Sequence, residues 1–342
     1  MRLLVLGGTH FVGRAVVEAA LARGDQVTTL TRGVSGPPPD GAKPLYADRT
    51  RSADLVRAVG DRTWDAVIDT WAGAPVVVAE SAALLSGRLR HYGYVSSASV
   101  YSWPIPLGVD ETASTVAADP RSFHDSDYSA CKRGAELAVL EHFAGRALLA
   151  RAGLILGPHE DVGRLPWWLH RLHQGGRVVA PGPAGRPLQL IDARDLAEWM
   201  LRCADGGTTG TFNAVSRPGH TTMEELLTIA NETAGGSAEL IWVSPDAIAR
   251  AGVSAWTELP IWTPPTGELA GLHAFDVTAA HANGLRCRPI AETVRDTWHW
   301  LQDQAPASYA HARTAVGLDQ AAEERIHHAA AQAGMRLPGR PR

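Results

Sequence analysis

Cysteine, lysine and long apolar runs are all scarce in this chain, and each scarcity excludes a class of protein. The three cysteines, at positions 131, 203 and 287, form no CxxC pair and no metal-ligand spacing. This argues against a disulfide scaffold or a metal site and predicts free thiols in a reducing cytosol. No apolar run is long enough to cross a membrane, so we expect a cytoplasmic protein with no membrane partner.

Basic charge is sparse as well. Only two of the 342 residues are lysine, and the formal net charge is −4. A nucleic-acid-binding surface needs clustered basic side chains because it must neutralise phosphates. The sequence contains neither a lysine-rich patch nor a stretch that interleaves aromatic and basic residues. Nucleic acid is therefore not expected as a partner, and a small-molecule substrate is.

The first thirty residues, by contrast, have the pattern of a dinucleotide-binding unit. An apolar run at 2–6 predicts a buried parallel strand and is too short for a signal peptide. A glycine turn then leads into apolar residues at helical spacing, and 26–30 predicts the next strand. Gly7 permits the tight turn, and Gly13 lets the helix approach the strand. The N–H groups at the helix start would then hold a pyrophosphate.

The end of the second strand bears on the choice of cofactor. An acidic residue there would bind the ribose hydroxyls of NAD and repel a 2′-phosphate, but this chain has Thr31, Arg32 and Gly33. Arginine can hold a phosphate bidentately. We therefore expect NADP(H) in preference to NAD(H), with Arg32 on the 2′-phosphate. The alternative is Arg32 stacked on adenine with NAD bound.

Two further strand ends are placed to complete a cofactor site. The predicted third strand ends at Asp48 and Arg49, a position suited to contacting the adenine edge. The predicted fourth strand, at 64–69, is followed by Thr70 and Trp71. Ligands in open α/β sheets gather at these carboxyl ends, so all four residues are candidate cofactor contacts.

Three residues are candidates for catalysis. Tyr128 and Lys132 are four residues apart, which on a helix places them on one face, about 6 Å apart along the axis. The ammonium favours the phenolate, so the pKa of Tyr128 should fall toward neutrality and allow general acid or base catalysis near pH 7. Ser97 ends the predicted fifth strand, at 91–97. Its hydroxyl can bond a substrate oxygen and share it with the phenol.

At these positions the chain resembles a known family. The glycine motif at 7–13, the strand end at 95–101 and Tyr128-x-x-x-Lys132 are similar to the extended short-chain dehydrogenase/reductase superfamily, which contains the NAD-dependent epimerases and dehydratases. Segments 31–33, 48–50 and 67–69 are similar to its atypical branch, which includes the chloroplast stem-loop-binding proteins and bacterial relatives. Segment 151–158 matches the family stretch that passes beside the nicotinamide. The resemblance spans roughly residues 1–302.

The resemblance implies roles for individual residues. Tyr128 would be the acid/base, Lys132 would lower its pKa and hold the nicotinamide ribose, and Ser97 would orient the reacting oxygen. A homodimer formed through the long helices beside the sheet is also implied. The predicted cofactor contacts are Gly7, Thr9, His10, Phe11, Val12, Gly13, Arg32, Asp48, Arg49, Thr70, Trp71, Tyr128, Lys132, Leu154 and Ile155.

His10 departs from the classical pattern, because a short-chain dehydrogenase usually has glycine there. The imidazole would cover or crowd the phosphates, donate to a phosphate when protonated, or lie at the surface with no role. A basic residue at this position fits the atypical branch.

The predicted fold class is α/β, a Rossmann-type doubly wound parallel sheet with a smaller C-terminal substrate-binding domain. Residues 1–157, with roughly 186–215, are assigned to the NAD(P)-binding domain, and 158–185 with 216–304 to a substrate-binding or lid region. Residues 305–342 are assigned to a tail made of a linker, a helix and a Pro/Arg-rich end. Within the second half, helices are predicted at 222–234 and 290–302 around loops rich in proline and tryptophan, and Asp195 is predicted to cap a helix.

Three functions fit this sequence. The first is an NAD(P)-dependent reductase that moves a hydride between nicotinamide and a carbonyl or alcohol, with Tyr128 supplying the proton. The second is a sugar-nucleotide epimerase or dehydratase with tightly bound NAD, which needs a further acid/base such as His124 or Glu160. The third is a non-enzymatic, RNA-associated relative, against which the intact set of Ser97, Tyr128 and Lys132 argues.

Overall fold

The computed structural model describes residues 1–304 and 316–334. The strands are β1 (Arg2–Leu6), β2 (Gln26–Thr31), β3 (Lys43–Tyr46), β4 (Ala66–Asp69), β5 (His91–Ser97), β6 (Ala147–Ala152), β7 (Leu154–Leu156), β8 (Gly176–Pro181), β9 (Pro187–Leu188), β10 (Leu190–Asp192), β11 (Gly210–Ala214), β12 (Thr221–Thr222) and β13 (Ala238–Val243). The α-helices are α1 (Phe11–Ala22), α2 (Ser52–Val59), α3 (Pro75–Leu85), α4 (Tyr128–Phe143), α5 (Arg164–His173), α6 (Ala193–Gly206), α7 (Met223–Ala234), α8 (Pro245–Arg250), α9 (Thr278–Ala282), α10 (Ile290–Gln302) and α11 (Gln320–Gly334). Short 3₁₀ helices cover Ala98–Val100 and Ala270–His273.

Seven parallel strands form the central sheet, in the order β11-β6-β5-β4-β1-β2-β3. The chain order reverses at β1, which has β2 on one side and β4 on the other, and this is the doubly wound arrangement. The predicted α/β, Rossmann-type fold class is therefore confirmed.

Both faces of the sheet are covered by helices. On one face α1 packs against α6, with Leu3 and Val5 of β1 in the shared core. On the other face α3 packs against α4, with Leu4 and Leu6 in the core. Successive side chains of a strand point to opposite faces. A strand buried on both faces therefore shows the unbroken apolar run that the sequence has at 2–6.

The chain forms two compact units. The first comprises Met1–Ile155, Leu190–Arg217 and Phe275–Cys287 and contains the seven-stranded sheet. The second comprises Leu156–Gln189, Pro218–Ala274 and the described residues after 287. Residues 275–287, which the sequence placed in the substrate region, belong to the first unit. There the Asp276 N–H donates to the Val109 carbonyl (3.0 Å), and the Asp276 carbonyl accepts from the Asn213 amide (2.8 Å).

Within the second unit, α5, α7 and α10 pack on one another, β8 pairs with β13 in parallel and β9 pairs with β12 antiparallel. Helices α7 and α10 lie where the sequence predicts them. The region between them, predicted as loops, also contains β13, α8 and α9. Their short lengths gave too little periodicity to be seen in the sequence.

The predicted cap of the sixth helix is wrong. Asp192, at the end of β10, accepts from the Arg194 N–H (2.9 Å) and caps α6, whereas Asp195 lies buried inside the first turn. The helix simply starts three residues earlier than expected, directly after the strand.

The helix of the predicted tail is α11. Its Ile326 side chain is buried, and the Glu323 carboxylate accepts two hydrogen bonds from Arg171, both of 3.0 Å. The predicted linker at 305–315 and the Pro/Arg-rich end at 335–342 lie outside the described residues. None of the helices in the described ranges is both long enough and apolar enough to span a bilayer.

Candidate active site

The glycine turn after β1 is built so that only glycine fits. Gly7 and Gly8 have φ values of +118° and +113°, in the region that residues with a side chain rarely adopt. A Cβ on Gly7 would lie 2.6 Å from the Thr70 hydroxyl, and a Cβ on Gly13 would lie 2.7 Å from the Gly8 backbone nitrogen. The start of α1 therefore lies directly against the turn, as a phosphate-binding helix N-terminus requires.

The residues between these glycines line the helix start in different ways. His10 is the N-cap residue of α1, exposed and extended, and its side chain makes no capping hydrogen bond. Thr9 is partly exposed, whereas Phe11 and Val12 are buried. His10 is thus the most exposed residue of this turn, directly beside the helix terminus.

The ends of β2 and β3 bring Arg32 and Asp48 close together. Arg32 is exposed. Hydrogen bonds from the Thr50 hydroxyl (2.7 Å) and N–H (3.0 Å), together with the charges of Arg51 and Arg32, lower the pKa of Asp48. An exposed cation and a firmly ionised carboxylate therefore flank this end of the sheet.

Tyr46, which the sequence analysis did not single out, lies at the same edge. Its exposed ring rests against Gly33, where a Cβ would come within 2.9 Å of the ring. Gly33 also has a positive φ of +73°. A tyrosine at the end of a strand carries no sequence signal of its own, which is why it was missed.

Arg49 does not present its guanidinium at the cofactor edge, contrary to the sequence-based expectation. It is buried and pairs bidentately with Asp69 (2.8 and 2.7 Å), while Nη2 also bonds the Ser81 hydroxyl (3.0 Å). Burial alone would raise the pKa of Asp69, but the Arg49 charge and hydrogen bonds from Arg49, Tyr92 and Trp71 hold it below its usual value. This buried ion pair therefore stabilises the end of β4 from inside the protein.

Trp71 connects the Arg49–Asp69 ion pair to the proposed catalytic residues. Its N–H donates to Asp69 (3.0 Å), and its carbonyl accepts from Lys132 Nζ (2.6 Å) and from the Tyr94 hydroxyl (2.9 Å). Thr70, one residue earlier, donates its hydroxyl to the Leu6 carbonyl (3.2 Å) beside the glycine turn. The segment after β4 therefore contacts both the turn and Lys132.

Lys132 is buried and tightly held. Its ammonium donates to the Val95 carbonyl (2.7 Å) as well as to Trp71, and it lies 4.9 Å from the centre of the Tyr94 ring. The same nitrogen lies 6.0 Å from the centre of the Tyr128 ring. Tyr128 is the first residue of α4 and is 48% exposed, so a partly exposed tyrosine lies beside a fixed cation.

Ser97 ends β5, two residues after the carbonyl that holds Lys132. Its hydroxyl accepts from the Ser99 N–H (3.2 Å) and from the Ser99 hydroxyl (3.0 Å). In both bonds Ser97 acts as acceptor, which leaves its own O–H as a donor toward a substrate oxygen. Helix α4 packs on β5 and on the 3₁₀ turn that follows Ser97.

The remaining predicted contacts, Leu154 and Ile155, lie in β7. Leu154 is buried and Ile155 is partly exposed. Of the two candidates for a second acid/base, His124 is exposed in the segment before α4. Glu160 is buried in the second unit, where its carboxylate accepts from the Arg164 N–H (2.7 Å) and the Leu165 N–H (3.2 Å) at the start of α5. Among the described residues, no group of three or more His, Cys, Asp or Glu side chains is placed to bind a metal.

Buried polar side chains around α4 escaped the sequence analysis. Glu136 and Arg151 form an ion pair beside the proposed site, and the Ser96 hydroxyl donates to Glu136. Glu136 could have been noticed, because it continues the spacing of Tyr128 and Lys132 by another four residues. Its partners come from separate strands and carry no local signal.

The sequence of the chain is similar to those of known proteins. The model of the NAD dependent epimerase/dehydratase family matches residues 3–214. The chloroplast stem-loop binding protein of 41 kDa b from Arabidopsis thaliana is 26% identical over 216 residues, covering 58% of this chain and 54% of that protein. The chain thus spans about half the length of this curated relative.

Several solved structures share the fold. UDP-glucose 4-epimerase from Thermus thermophilus, in complex with NAD, has a TM-score of 0.62 and 21% identity, with 89% of this chain and 100% of that chain covered. UDP-N-acetylglucosamine 4-epimerase from Bacillus cereus has a TM-score of 0.64 and 17% identity, with 89% and 100% covered. The enzyme WbmH from Bordetella bronchiseptica, in complex with NAD+, has a TM-score of 0.65 and 16% identity, with 88% and 98% covered.

At these identities the structural likeness establishes the fold, and the match over most of the chain establishes the family. The predicted resemblance to the extended short-chain dehydrogenase/reductase superfamily is confirmed at that level. The chain belongs to the NAD dependent epimerase/dehydratase family.

Proposed function

We propose that this protein transfers a hydride between a nicotinamide cofactor and a carbon of a small-molecule alcohol or carbonyl, with Tyr128 as the acid/base. The observation that carries the proposal is the Lys132 ammonium, fixed by two backbone carbonyls and facing the exposed phenol of Tyr128. Ser97 lies on the strand that holds this lysine. A surface tyrosine–lysine pair of no function would not need a buried, fully oriented ammonium.

The glycine turn fits a dinucleotide. Side chains at Gly7 and Gly13 would collide with Thr70 and Gly8, so the turn keeps backbone N–H groups close to the space beyond it. A bound nicotinamide dinucleotide supplies the hydride donor or acceptor. The residues of the chain then handle the proton and the substrate oxygen.

Each catalytic side chain has a distinct task. Tyr128 gives its phenolic proton to a developing alkoxide or removes one from an alcohol, and Lys132 stabilises the phenolate by its charge. Ser97 donates its O–H to the same oxygen, which stabilises negative charge and fixes the distance to the phenol. The two carbonyl acceptors of Lys132 Nζ fix the position of its charge.

Two outcomes of this chemistry are supported by different observations. A one-way reductase with NADP(H) is supported by Arg32 at the end of β2, where no acidic side chain of that strand stands to bind the ribose of NAD. A sugar-nucleotide epimerase or dehydratase with NAD is supported by the family and by the fold shared with the UDP-sugar epimerases. The epimerase requires a further acid/base, and Glu160 is occupied in capping α5.

Cofactor titration tests the proposal. The purified protein is titrated with NADPH and with NADH by fluorescence, and nucleotide released on denaturation is identified by mass spectrometry. Exchangeable NADPH would support the reductase, and copurifying NAD that does not exchange would support the epimerase. Binding of neither dinucleotide would refute both. RNA affinity with a steep salt dependence in that last case would support the RNA-associated alternative.

Substitution of Tyr128 tests its role separately. Positioned acid/base groups contribute about 10²- to 10⁴-fold to rate, so Tyr128→Phe should lower turnover by at least about 100-fold on substrates found in a panel of carbonyl compounds and UDP-sugars. Cofactor affinity should stay within about twofold, because the phenylalanine ring preserves the packing. A variant that keeps wild-type turnover would exclude Tyr128 as the acid/base.

A further inference from the structure

A third side chain continues the catalytic face of α4. Tyr128, Lys132 and Glu136 follow one another at intervals of four residues, which places them on one face of the helix. Glu136 has an exposed fraction of 0%, yet it carries a carboxylate. A buried carboxylate is costly unless it is fully hydrogen-bonded, so its partners indicate what it does.

Glu136 joins α4 to two neighbouring strands of the sheet. It accepts from the Ser96 hydroxyl of β5 (2.7 Å) and from Nε and Nη2 of Arg151 of β6 (2.9 and 3.0 Å). Arg133, on α4 itself, donates a further bond (2.8 Å). Ser96 and Arg151 are directly paired in the sheet register. One carboxylate thus clamps the helix at a defined point of the β5–β6 pair.

The clamp is one of two consecutive attachments. Lys132 donates to the carbonyl of Val95, and Glu136, one turn later, accepts from Ser96. The next residue of the strand is Ser97. Two successive turns of the helix are therefore attached to two successive residues of β5, immediately before the strand end that carries the proposed catalytic serine.

Arg151 is itself held in place. Its guanidinium lies 4.9 Å from the centre of the Tyr101 ring, and Nη1 donates to the Glu111 carbonyl (3.2 Å). Burial would lower the pKa of Arg151, but the hydrogen bonds and charge of Glu136 raise it. The arginine therefore stays charged, and contacts other than Glu136 also fix its position.

We propose that Glu136 is a positioning residue of the active site: it fixes the register of α4 against β5, so that Tyr128 and Lys132 are held beside Ser97. The inference rests on the proposed role of Tyr128. A buried ion pair by itself is weak evidence for stability, since apolar residues of the same volume often serve as well. Its specific value here is geometric, because a helix shifts 1.5 Å along its axis for each residue of slippage.

The titration of Tyr128 tests this role without substrate or cofactor. Tyrosinate absorbance is followed against pH in the protein and in its Tyr128→Phe counterpart, and the difference isolates Tyr128. Glu136→Gln should raise the midpoint of Tyr128 by about one pH unit, because Lys132 moves away from the phenol and an adjacent cation lowers such a midpoint by about one to three units. Simple removal of a negative charge would shift the midpoint down, so the sign separates positioning from a through-space effect.

The other titratable or charged groups near this part of α4 do not interfere with the measurement of the Tyr128 midpoint. They include Tyr94 of β5, Arg151 of β6, and Lys132, Arg133 and Cys131 of α4, with Asp125 and Asp127 just before the helix. Burial holds the pKa of Tyr94 well above its usual value, and it is present in both members of each pair. Glu141→Gln is the matched control, an exposed glutamate on the same helix that pairs with Arg121. It should leave the Tyr128 midpoint unchanged.

Ser96→Ala provides a second test with no change of charge. This substitution removes only the bond from β5 to Glu136. It should therefore shift the Tyr128 midpoint in the same upward direction by a smaller amount. If Glu136→Gln fails to fold, this variant alone tests the proposal. An unchanged or lowered midpoint in the folded variants, even with a lower Tm, would show a merely structural role and overturn the proposal. Cofactor binding is measured in parallel, so a failure of the proposed function appears there and leaves the titration interpretable.

Discussion

At the scale of single residues, the arrangement around Lys132 explains how one cation is kept in place. Two carbonyls, from Trp71 and Val95, and the face of the Tyr94 ring surround the ammonium. Such oxygen dipoles replace the water that burial removes, so the charge is retained inside the protein. The direction of its interaction with Tyr128 is therefore set before any ligand arrives.

Arg32 is the residue on which the cofactor preference depends. If it binds a 2′-phosphate, Arg32→Ala removes a charged hydrogen bond of about 1.5 to 3 kcal/mol, which corresponds to a loss of NADPH affinity of roughly 10- to 150-fold. NADH affinity should change less than about twofold. Arg57→Ala, which removes an exposed arginine paired with Asp54, controls for net charge. Equal losses for both dinucleotides would contradict the assignment.

Residue spacing predicts contacts within one helix but not contacts between residues that are distant in the chain. The four-residue spacing of Tyr128 and Lys132 was enough to place both on one helix, because helical geometry is local. The fate of Arg49 was not predictable in the same way. Its partner Asp69 is 20 residues away in the chain and is brought to it by the tertiary fold.

At the scale of elements, the β1–turn–α1 unit depends on close backbone approach at Gly13. A Cβ there would lie 2.7 Å from the Gly8 nitrogen, so Gly13→Ala must push the turn away from the helix. The gain in helix propensity, about 1 kcal/mol, opposes an overpacking cost of about 1 to 3 kcal/mol. We expect a small fall in Tm but a loss of dinucleotide affinity of at least about tenfold, measured by fluorescence titration.

Gly206→Ala is the matched control for that substitution. Gly206 also lies in a helix and has no positive φ. A Cβ added there would have a single neighbouring atom within 4 Å, at 3.9 Å. It should keep full cofactor affinity and gain up to about 1 kcal/mol of stability. Similar cofactor affinity in both variants would exclude the close approach at Gly13 as a requirement for binding.

The position of helix α4 also depends on specific contacts. Its first turn is capped by Asp127, which accepts from the Ala130 N–H (3.0 Å), and its second and third turns are attached to β5 by Lys132 and Glu136. Tyr128 stands at the start of this helix. The position of Tyr128 therefore depends on a local helix cap and on two tertiary contacts.

At the scale of the whole molecule, the second unit contains an acid that should make stability depend on pH. Burial raises the pKa of Glu160 from 4.5 to about 7. The folded state thus favours the protonated carboxyl, and this contribution is complete below pH 4.5 and lost as the pH rises through 7. The difference corresponds to at most about 3 kcal/mol.

Glu160→Gln removes this dependence while keeping an acceptor oxygen at the start of α5. Between pH 5 and pH 8, urea unfolding should show a smaller loss of stability in the variant than in the wild type, by up to about 3 kcal/mol. The one hydrogen bond lost with the second oxygen lowers stability equally at each pH. Glu224→Gln, an exposed residue in the first turn of α7, should leave the pH dependence unaltered. Identical slopes in all three proteins would show that Glu160 titrates normally.

The family assignment rests on residues 3–214, and several expectations about the molecule stay predictions. These are the homodimer implied by the family resemblance, the NADP(H) preference and the small-molecule substrate. Each depends on surfaces formed by residues distant in sequence, and such surfaces carry little local pattern.

The sequence by itself determined what short-range geometry controls. The glycine turn, the apolar runs of the buried strands, and the spacing of Tyr128 and Lys132 follow from backbone freedom, from burial on two faces and from helical repeat, all within a few residues. The tertiary structure alone decided which partners the buried charges take. The tertiary fold brought Asp69 to Arg49 and placed 275–287 in the first unit, and strand register placed Ser96 and Arg151 side by side around Glu136. Those contacts join residues from 15 to more than 100 positions apart, and no local pattern in the chain encodes them.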